Sequence, residues 1–269
     1  MNQFSPPDFT RVEKIIKTAG IKLTQVLNRS EIKQKYSDTI SSIVTQADID
    51  TENFLRKELA KYFPTIGFYS EETYKSSQQE LDKDFCWVVD PIDGTLNFSR
   101  GVPIFGISVA LVHNNHPVFG AIYLPLLNEY FWAAKNSGAF LNDKPIHIRH
   151  NAQLDKLYGA CVVGYGKDVY QRFIETRFRL KFESTHPYAT VFNYAHTAAG
   201  NFDFSLSLGP ALWDIAAGWI LIEEAGGIFE TFHIDEERKR KGDPYHLWCI
   251  AGEKQVVDFL LPKLKLITK

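Results

Sequence analysis

The stretch WVVDPIDGTLNFSRGVP, residues 87–103, places two aspartates directly after an apolar run. Residues 87–89 predict a buried strand that ends at Asp90, and a second carboxylate follows at Asp93. Asp-Pro and Asp-Gly pairs are also ordinary turn chemistry, so a plain turn is the alternative interpretation. Two partly buried carboxylates this close repel each other unless a proton or a cation neutralises them. The stretch therefore indicates a site for a hard cation such as Mg²⁺, which prefers oxygen ligands.

The residues around the two aspartates suit an anion as well as a cation. Pro91 fixes φ and lacks an N–H, which leaves neighbouring carbonyl groups free to turn toward a metal. Gly94 permits a close approach of the backbone to an anion, and a helix that begins near Thr95 would point its free N–H groups at a phosphate. A haloacid-dehalogenase mechanism is excluded on this motif, because its nucleophilic aspartate would stand where this chain has Pro91.

Composition describes a globular protein without an obvious macromolecular partner. The chain has 269 residues, of which 45% are hydrophobic and 23% charged, and its net charge is −2. A chain of this length and hydrophobic content can form one large domain or two closely joined lobes. Nucleic acids and anionic membranes favour basic patches, and the basic run at residues 237–241 is short and lies next to acidic residues. We therefore expect neither a nucleic-acid nor a membrane partner.

The three cysteines and the N-terminus bear on the compartment. Cys86, Cys161 and Cys249 each lie in an apolar run and form no CxxC pair, which is typical of small buried residues rather than of disulfides or zinc ligands. The N-terminus has no charged start followed by an apolar segment, and no run is long enough to span a membrane. These features predict a reducing cytoplasm.

Hydrophobic periodicity predicts helices and strands in two different arrangements. Residues 8–28 and the segment from Asp48 to Pro64 have helical spacing. Strand-like runs and turns between residues 85 and 134 predict an antiparallel sheet. After about residue 145, strands alternate with helices, which is typical of an α/β arrangement. We therefore predict an α+β lobe at residues 1–145 and an α/β lobe at residues 146–269, joined in one integrated unit.

Four short motifs occur in an order that points to one family. They are TQAD (45–48), FYSEET (68–73), DPIDGT (90–95) followed by Asn-Phe, and WDIAAGWILIEEAGG (213–227). Each motif alone is weak, but the ordered set covers residues 45–227. The set resembles the inositol monophosphatase family of metal-dependent, lithium-sensitive sugar and polyol phosphatases.

The resemblance implies a role for each matching residue. It implies that the metal ligands are Glu71, Asp90, Asp93, Asp214 and the main-chain carbonyl of Ile92. It implies that the catalytic residues are Asp48 and Thr95, which orient and activate a water, together with Glu71. It implies that the substrate and phosphate contacts come from Asp93, Gly94, Thr95, Ser207 and Asp214. The simpler alternatives are helix caps at Asp48 and Asp214 and a solvated turn at Glu71.

The resemblance also implies the fold, the cofactor and the assembly. The implied fold combines α+β and α/β features in a layered α-β-α-β-α sandwich, and the implied assembly is a homodimer. Four carboxylates carry −4, and a phosphate monoester adds about −1.5 to −2. About three divalent cations would balance this charge, which suits a site of two to three Mg²⁺ ions, and Mn²⁺ is expected to substitute.

The part of the family pattern that faces the sugar is altered in this chain. Inositol-specific members have a glutamate seven residues before the Trp-Asp aspartate, where this chain has Ser207, and their Gly-Ser/Thr-Ala run corresponds to Tyr-Ala-Thr at residues 188–190. We expect hydrolysis of a small phosphomonoester by a metal-activated water, on an inositol monophosphate-like polyol or sugar phosphate, but not a dedicated inositol 1-phosphate phosphatase. Histidinol phosphate, fructose 1,6-bisphosphate and 3′-phosphoadenosine nucleotides remain alternative substrates. A regulatory or binding protein that keeps the fold is the alternative of another class.

Overall fold

The computed structural model describes residues 9–27, 32–34, 43–163, 167–180 and 182–266. The helices are α1 (Phe9–Val26), α2 (Gln46–Tyr62), α3 (Tyr74–Ser77), α4 (Thr95–Arg100), α5 (Lys167–Leu180), α6 (Thr190–Ala198), α7 (Leu212–Glu224), α8 (Glu236–Arg240) and α9 (Lys254–Leu264). The strands are β1 (Ile32–Gln34), β2 (Ile43–Thr45), β3 (Gly67–Ser70), β4 (Phe85–Asp93), β5 (Gly106–His113), β6 (His116–Leu124), β7 (Glu129–Ala134), β8 (Gly138–Leu141), β9 (Lys144–Ile146), β10 (Tyr158–Val163), β11 (Glu183–Thr185), β12 (Phe204–Leu208), β13 (Ile228–Ile234) and β14 (Leu247–Gly252).

The first large sheet has seven strands in the order β3-β4-β5-β6-β7-β8-β9. The antiparallel pairing of β4 to β7 is as the strand and turn pattern predicts. Strand β3, which runs parallel to β4, and the antiparallel strands β8 and β9 were not predicted. Both faces of the sheet are covered, and this explains the continuous apolar run in β4. Trp87 and Val89 pack in the same core cluster as α1 and α2, whereas Val88 faces the opposite side and packs in the cluster of α7.

The second large sheet has five strands in the order β11-β10-β12-β14-β13. Strand β10 is parallel to both β11 and β12, as the alternation of strands and helices predicts. Strand β14 is antiparallel to β12 and to β13, so the sheet is mixed. Phe204 and Leu206 of β12 face the cluster that includes α9, and Ser205 and Ser207 face α6.

Helices α6 and α7 form the middle layer between the two sheets. Helix α7 packs on β5 and β6, and α6 packs on β12. The contact of α7 with β6 is close because Gly120 has no side chain: a Cβ there would lie 2.7 Å from the carbonyl oxygen of Ala217. Helices α1 and α2 cover the outer face of the first sheet, and α5 and α9 cover the outer face of the second. The predicted α-β-α-β-α sandwich is confirmed.

Local details differ from the sequence predictions. Helix α2 begins at Gln46, so Asp48 lies in its first turn rather than at the cap. Strand β13 follows α7 and was not predicted, and part of the basic run at residues 237–241, expected to be a loop, forms α8. The division of the chain into two lobes at residues 1–145 and 146–269 stays a prediction. Within the described residues, the cysteines are free and buried, and no helix has the length and apolarity that a membrane span requires.

Candidate active site

Strand pairing brings the acidic residues together. Ser70 of β3 pairs with Val89 of β4, so the next residues along the two parallel strands, Glu71 and Asp90, lie side by side. Asp93 is the last residue of β4. The same edge therefore carries three of the predicted carboxylates, from segments that lie 19 or more residues apart in sequence.

The fourth carboxylate comes from the middle layer. Asp214 lies in the first turn of α7. Ser108 of β5, which pairs with Asp90, donates its hydroxyl to the carbonyl oxygen of Trp213 at 3.3 Å. This hydrogen bond ties the start of α7 to the strand next to β4. Asp214 is thereby brought to the end of the first sheet, although it is 124 residues beyond Asp90.

The carboxylates of Asp90, Asp93 and Asp214 form a compact cluster. One oxygen of each lies within 4.8 Å of the others. Backbone N–H groups also donate to each carboxylate: Ile92 to Asp90 at 3.0 Å, Val191 to Asp93 at 3.0 Å, and Ala211 to Asp214 at 2.7 Å. These bonds fix the orientation of the carboxylates. The N-cap of α7 is Ala211, so the expectation that Asp214 is itself the N-cap is wrong. Asp214 is the third residue of the helix, where it accepts the N–H of the N-cap residue and also joins the cluster.

Burial and mutual repulsion favour the protonated forms of these carboxylates. Burial raises the pKa of Asp90 well above its ordinary value, and the charges of Glu71 and Asp93 add to the effect. Burial also raises the pKa of Asp93 from 3.8 to about 7, although hydrogen bonds from the backbone N–H groups of Val191 and Thr190 act to lower it. The pKa of Asp214 is raised by burial and then by the charge of Asp93. Such a cluster is unfavourable without a proton or a cation to neutralise it.

Thr95 and Asp48 meet beside this cluster. The Thr95 hydroxyl oxygen lies 3.1 Å from Oδ1 of Asp48 and 3.0 Å from the carbonyl oxygen of Ile92, so its single proton can be donated to either. Asp48 is 1% exposed. The two residues predicted to orient a water are 47 positions apart in sequence and in direct contact in the structure.

Gly94 occupies a crowded left-handed position at the start of α4. Its φ is +84°, and a Cβ there would lie 3.0 Å from the carbonyl oxygen of Ile104 and 3.2 Å from the Cβ of Ala189. A side chain would therefore be both strained and obstructed. This packing brings the chain at residue 189 against the stretch that carries Asp93.

A hydrogen-bond network that the motifs did not indicate supports Glu71. The buried carboxylate of Glu52 accepts the backbone N–H of Glu72 at 3.2 Å, the hydroxyl of Thr73 at 3.0 Å and the guanidinium of Arg56 at 2.9 Å. The 3-10 turn that carries Glu71 is thereby tied to α2. The available signal was helical spacing, because Glu52 lies four residues after Asp48 and therefore on the same face of α2.

Ser207 is placed differently from the other predicted residues. It has no exposed surface, and its hydroxyl accepts a hydrogen bond from Tyr194 of α6 at 3.1 Å. In this conformation a substrate cannot reach the hydroxyl without displacing α6. A direct contact of Ser207 with substrate stays a prediction, and the hydrogen bond gives the residue a packing role between β12 and α6.

The donor set fits a hard divalent cation. Carboxylate and carbonyl oxygens are the ligands that Mg²⁺ prefers, whereas soft sulfur ligands are missing from the cluster. The raised pKa values of the aspartates provide a second observation. Burial and then mutual repulsion raise them, and a bound cation would offset both effects. The residues of this chain therefore fit a metal-ion site at the end of β4.

Comparisons with known proteins identify the family and agree with this fold. A family model described as the inositol monophosphatase family matches residues 8–256. A Thermotoga maritima protein named fructose-1,6-bisphosphatase/inositol-1-monophosphatase is 35% identical over 190 residues, which cover 71% of this chain and 72% of the relative. A Mesorhizobium japonicum protein named inositol-1-monophosphatase is 31% identical over 226 residues, 82% of each chain. The crystal structure of extragenic suppressor protein suhB from Bartonella henselae superposes with a TM-score of 0.82 at 27% identity and covers 96% of this chain and 98% of that chain.

Proposed function

The chain belongs to the inositol monophosphatase family and is a phosphoric monoester hydrolase, and from this premise we propose that it hydrolyses a small phosphomonoester, such as a polyol or sugar phosphate, with Mg²⁺ as cofactor. The observation that supports this function is the cluster of Asp90, Asp93 and Asp214, whose ligand oxygens lie within 4.8 Å of one another. Buried carboxylates that repel one another destabilise the folded chain unless a cation is bound. Their presence is therefore better explained by metal binding than by a structural role.

The residues that would hold two to three Mg²⁺ ions are the three clustered aspartates, Glu71 and the carbonyl group of Ile92. When bound, the ions would neutralise the carboxylates, lower the pKa of a water and offset the charge of the phosphate. Glu52 and Arg56 would keep Glu71 in place through the 3-10 turn. Mn²⁺ is expected to substitute for Mg²⁺, since both accept oxygen ligands.

Thr95 and Asp48 would hold the attacking water. The Thr95 hydroxyl can accept a hydrogen bond from that water while it donates its own proton to Oδ1 of Asp48, 3.1 Å away. This arrangement orients the water and gives its proton a path to a carboxylate. The N–H groups of Gly94 and Thr95, at the start of α4, would bind phosphate oxygens. No covalent intermediate is required.

Two substitutions test the hydrolytic function. Asp90→Asn and Asp214→Asn should each abolish phosphate release from glycerol 2-phosphate in the presence of Mg²⁺, while circular dichroism shows that the variants remain folded. The matched control is Asp143→Asn, because Asp143 is exposed and far from the motifs. Removal of metal by a chelator should have the same effect as the two variants. Hydrolysis retained in both variants would contradict the proposal.

A regulatory role is the second candidate. The observation that favours it is the name extragenic suppressor protein, which a structural neighbour carries. A cell in which the gene is deleted separates the two functions. If the Asp90→Asn variant restores the wild-type phenotype as well as the unmodified gene does, hydrolysis is not the function that matters there. Loss of complementation with a stable variant protein favours the enzyme.

The remaining expectations concern assembly, location and inhibition. We propose a homodimer, which light scattering would report as about twice the chain mass of 30.7 kDa. We also propose a cytoplasmic location, which the three buried cysteines outside any CxxC pair favour, and inhibition by lithium, which the family resemblance implies.

A further inference from the structure

Tyr188 has a backbone conformation that tyrosine rarely adopts. Its φ is +56°, in the left-handed region, where the Cβ atom crowds the following carbonyl oxygen. The other non-glycine residues with positive φ in the described part of the chain are Asn114, Asn115, Asn128, Asn136, Asn142 and Asn151. Asparagine tolerates this region because its short polar side chain bonds locally. Tyrosine has no such compensation, so its backbone is strained.

The residues on both sides of Tyr188 hold this conformation in place. The side-chain amide of Asn97 donates to the carbonyl oxygen of Pro187 at 2.7 Å. On the other side, Ala189 packs against Gly94, since a Cβ at Gly94 would lie 3.2 Å from the Cβ of Ala189. Strain of this kind persists only where the surroundings over-determine the backbone.

The aromatic ring of Tyr188 is not packed in the hydrophobic core, so its burial does not offset the backbone strain. The residue is 68% exposed. Within the described residues, no aromatic side chain stacks on its ring and no group is hydrogen-bonded to its hydroxyl. A strained position that keeps a large ring in solvent is better explained by a ligand than by stability.

Tyr188 also lies at the rim of the carboxylate cluster. Three residues later, the backbone N–H of Val191 donates to Oδ2 of Asp93 at 3.0 Å, and Ala189 contacts Gly94 next to that aspartate. Ser207, in contrast, offers a substrate no polar group, because its hydroxyl is buried and bonded to Tyr194. The described residues of this region thus offer a solvent-exposed aromatic ring at position 188 and no carboxylate at position 207.

We propose that Tyr188 selects phosphomonoesters whose alcohol carries a planar heteroaromatic ring, such as a nucleoside or an imidazole, by stacking on that ring. The inference rests on the proposed phosphatase function and narrows its substrate class. Stacking needs the face of the aromatic ring and not the hydroxyl. Phenylalanine therefore substitutes for Tyr188 in this role, and alanine does not.

The test is a substrate panel on the Mg²⁺-loaded protein. The ring substrates are adenosine 3′,5′-bisphosphate and histidinol phosphate, and the ring-free reference is glycerol 2-phosphate. In Tyr188→Ala, the ratio of kcat/KM for a ring substrate to kcat/KM for glycerol 2-phosphate should fall about tenfold, mainly through KM, as expected for the loss of one stacking contact. Tyr188→Phe should keep the ratio. Tyr170→Ala is the matched control, because Tyr170 is also exposed but lies on α5.

The outcomes separate this inference from the function on which it rests. If the wild-type protein hydrolyses no substrate of the panel, the proposed function fails. If it hydrolyses glycerol 2-phosphate but Tyr188→Ala leaves the ratio unchanged, the function stands and the role of Tyr188 is refuted. Two other outcomes for Tyr188→Ala would also refute the inference, because they would assign the ring to a structural contact. One is a change of oligomeric state in light scattering. The other is a fall in the ratio of kcat/KM values that is accompanied by a fall in Tm.

Discussion

Replacing Asp93 by asparagine should stabilise the metal-free protein while it impairs the metal-loaded enzyme. Burial raises the pKa of Asp93 from 3.8 to about 7. Above pH 7 the side chain is ionised in both the folded and the unfolded chain, and its burial as a charge opposes folding. At 1.36 kcal/mol for each pH unit, the difference between the two pKa values corresponds to about 4 kcal/mol. Asparagine has nearly the same shape and can still accept the N–H of Val191.

The pH dependence follows from the direction of the shift. The folded chain holds its proton on Asp93 more tightly than the unfolded chain does, so the metal-free protein binds more protons when folded. The stability that Asp93 contributes is fully present below the unfolded pKa of 3.8 and is lost progressively as the pH rises toward about 7. The advantage of Asp93→Asn should therefore be fully present at pH 8 and should shrink as the pH is lowered to 5.

The assay is thermal unfolding followed by circular dichroism in the presence of a chelator. For a chain of this length, about 4 kcal/mol corresponds to an increase in Tm of about 7 °C at pH 8. The exposed Asp143→Asn variant serves as the control and should leave Tm unchanged. Mg²⁺ should raise the Tm of the wild type more than that of Asp93→Asn. A metal-free Asp93→Asn protein that is no more stable than the wild type at pH 8 would show that burying the charged carboxylate costs no stability, and the reasoning would be wrong.

Three further substitutions test other parts of the structure. Glu52→Gln weakens the support of the turn that carries Glu71 and should lower Mg²⁺ affinity about tenfold, measured as the midpoint of Mg²⁺ activation and by calorimetry; an unchanged midpoint would remove Glu52 from the site. Thr95→Ala removes the hydroxyl that orients the water and should lower kcat about 10²- to 10⁴-fold with little change in KM, whereas a selective rise in KM would mean that Thr95 only binds substrate. Gly120→Val inserts a side chain at a position where even a Cβ would lie 2.7 Å from the carbonyl oxygen of Ala217. It should lower the free energy of unfolding in urea by about 1–3 kcal/mol. An unchanged free energy of unfolding would imply that α7 can move away from β6.

Local motifs predicted much of the site because its chemistry is concentrated in one turn. Asp90, Asp93 and Gly94 lie within five residues, and strand pairing then places Glu71 beside them. The apolar run before Asp90 predicted β4, and the helical spacing predicted α1, α2 and α7. These inferences depended on short-range patterns, for which the sequence contains direct signals.

Long-range packing limited the rest. The burial of Ser207 depends on Tyr194, which lies on another element, and nothing in the local pattern of β12 indicates that contact. The backbone strain at Tyr188 depends on Asn97 and Gly94, about 90 residues earlier in the chain. Such contacts appear only after the sheets and helices have been placed, so sequence spacing could not predict them.

The position of the middle helical layer has a consequence for synthesis on the ribosome. The first sheet is complete in sequence at Ile146, but α7, which covers its inner face, ends only at Glu224. At a rate of synthesis of about 5–20 residues per second, the apolar inner face of the sheet would remain uncovered for roughly 4 to 16 s, until α7 has been made. During that interval the nascent chain is a substrate for chaperones and is prone to aggregation. Asp214 lies in the first turn of the same helix, so the set of carboxylates is incomplete until synthesis of that covering helix has begun.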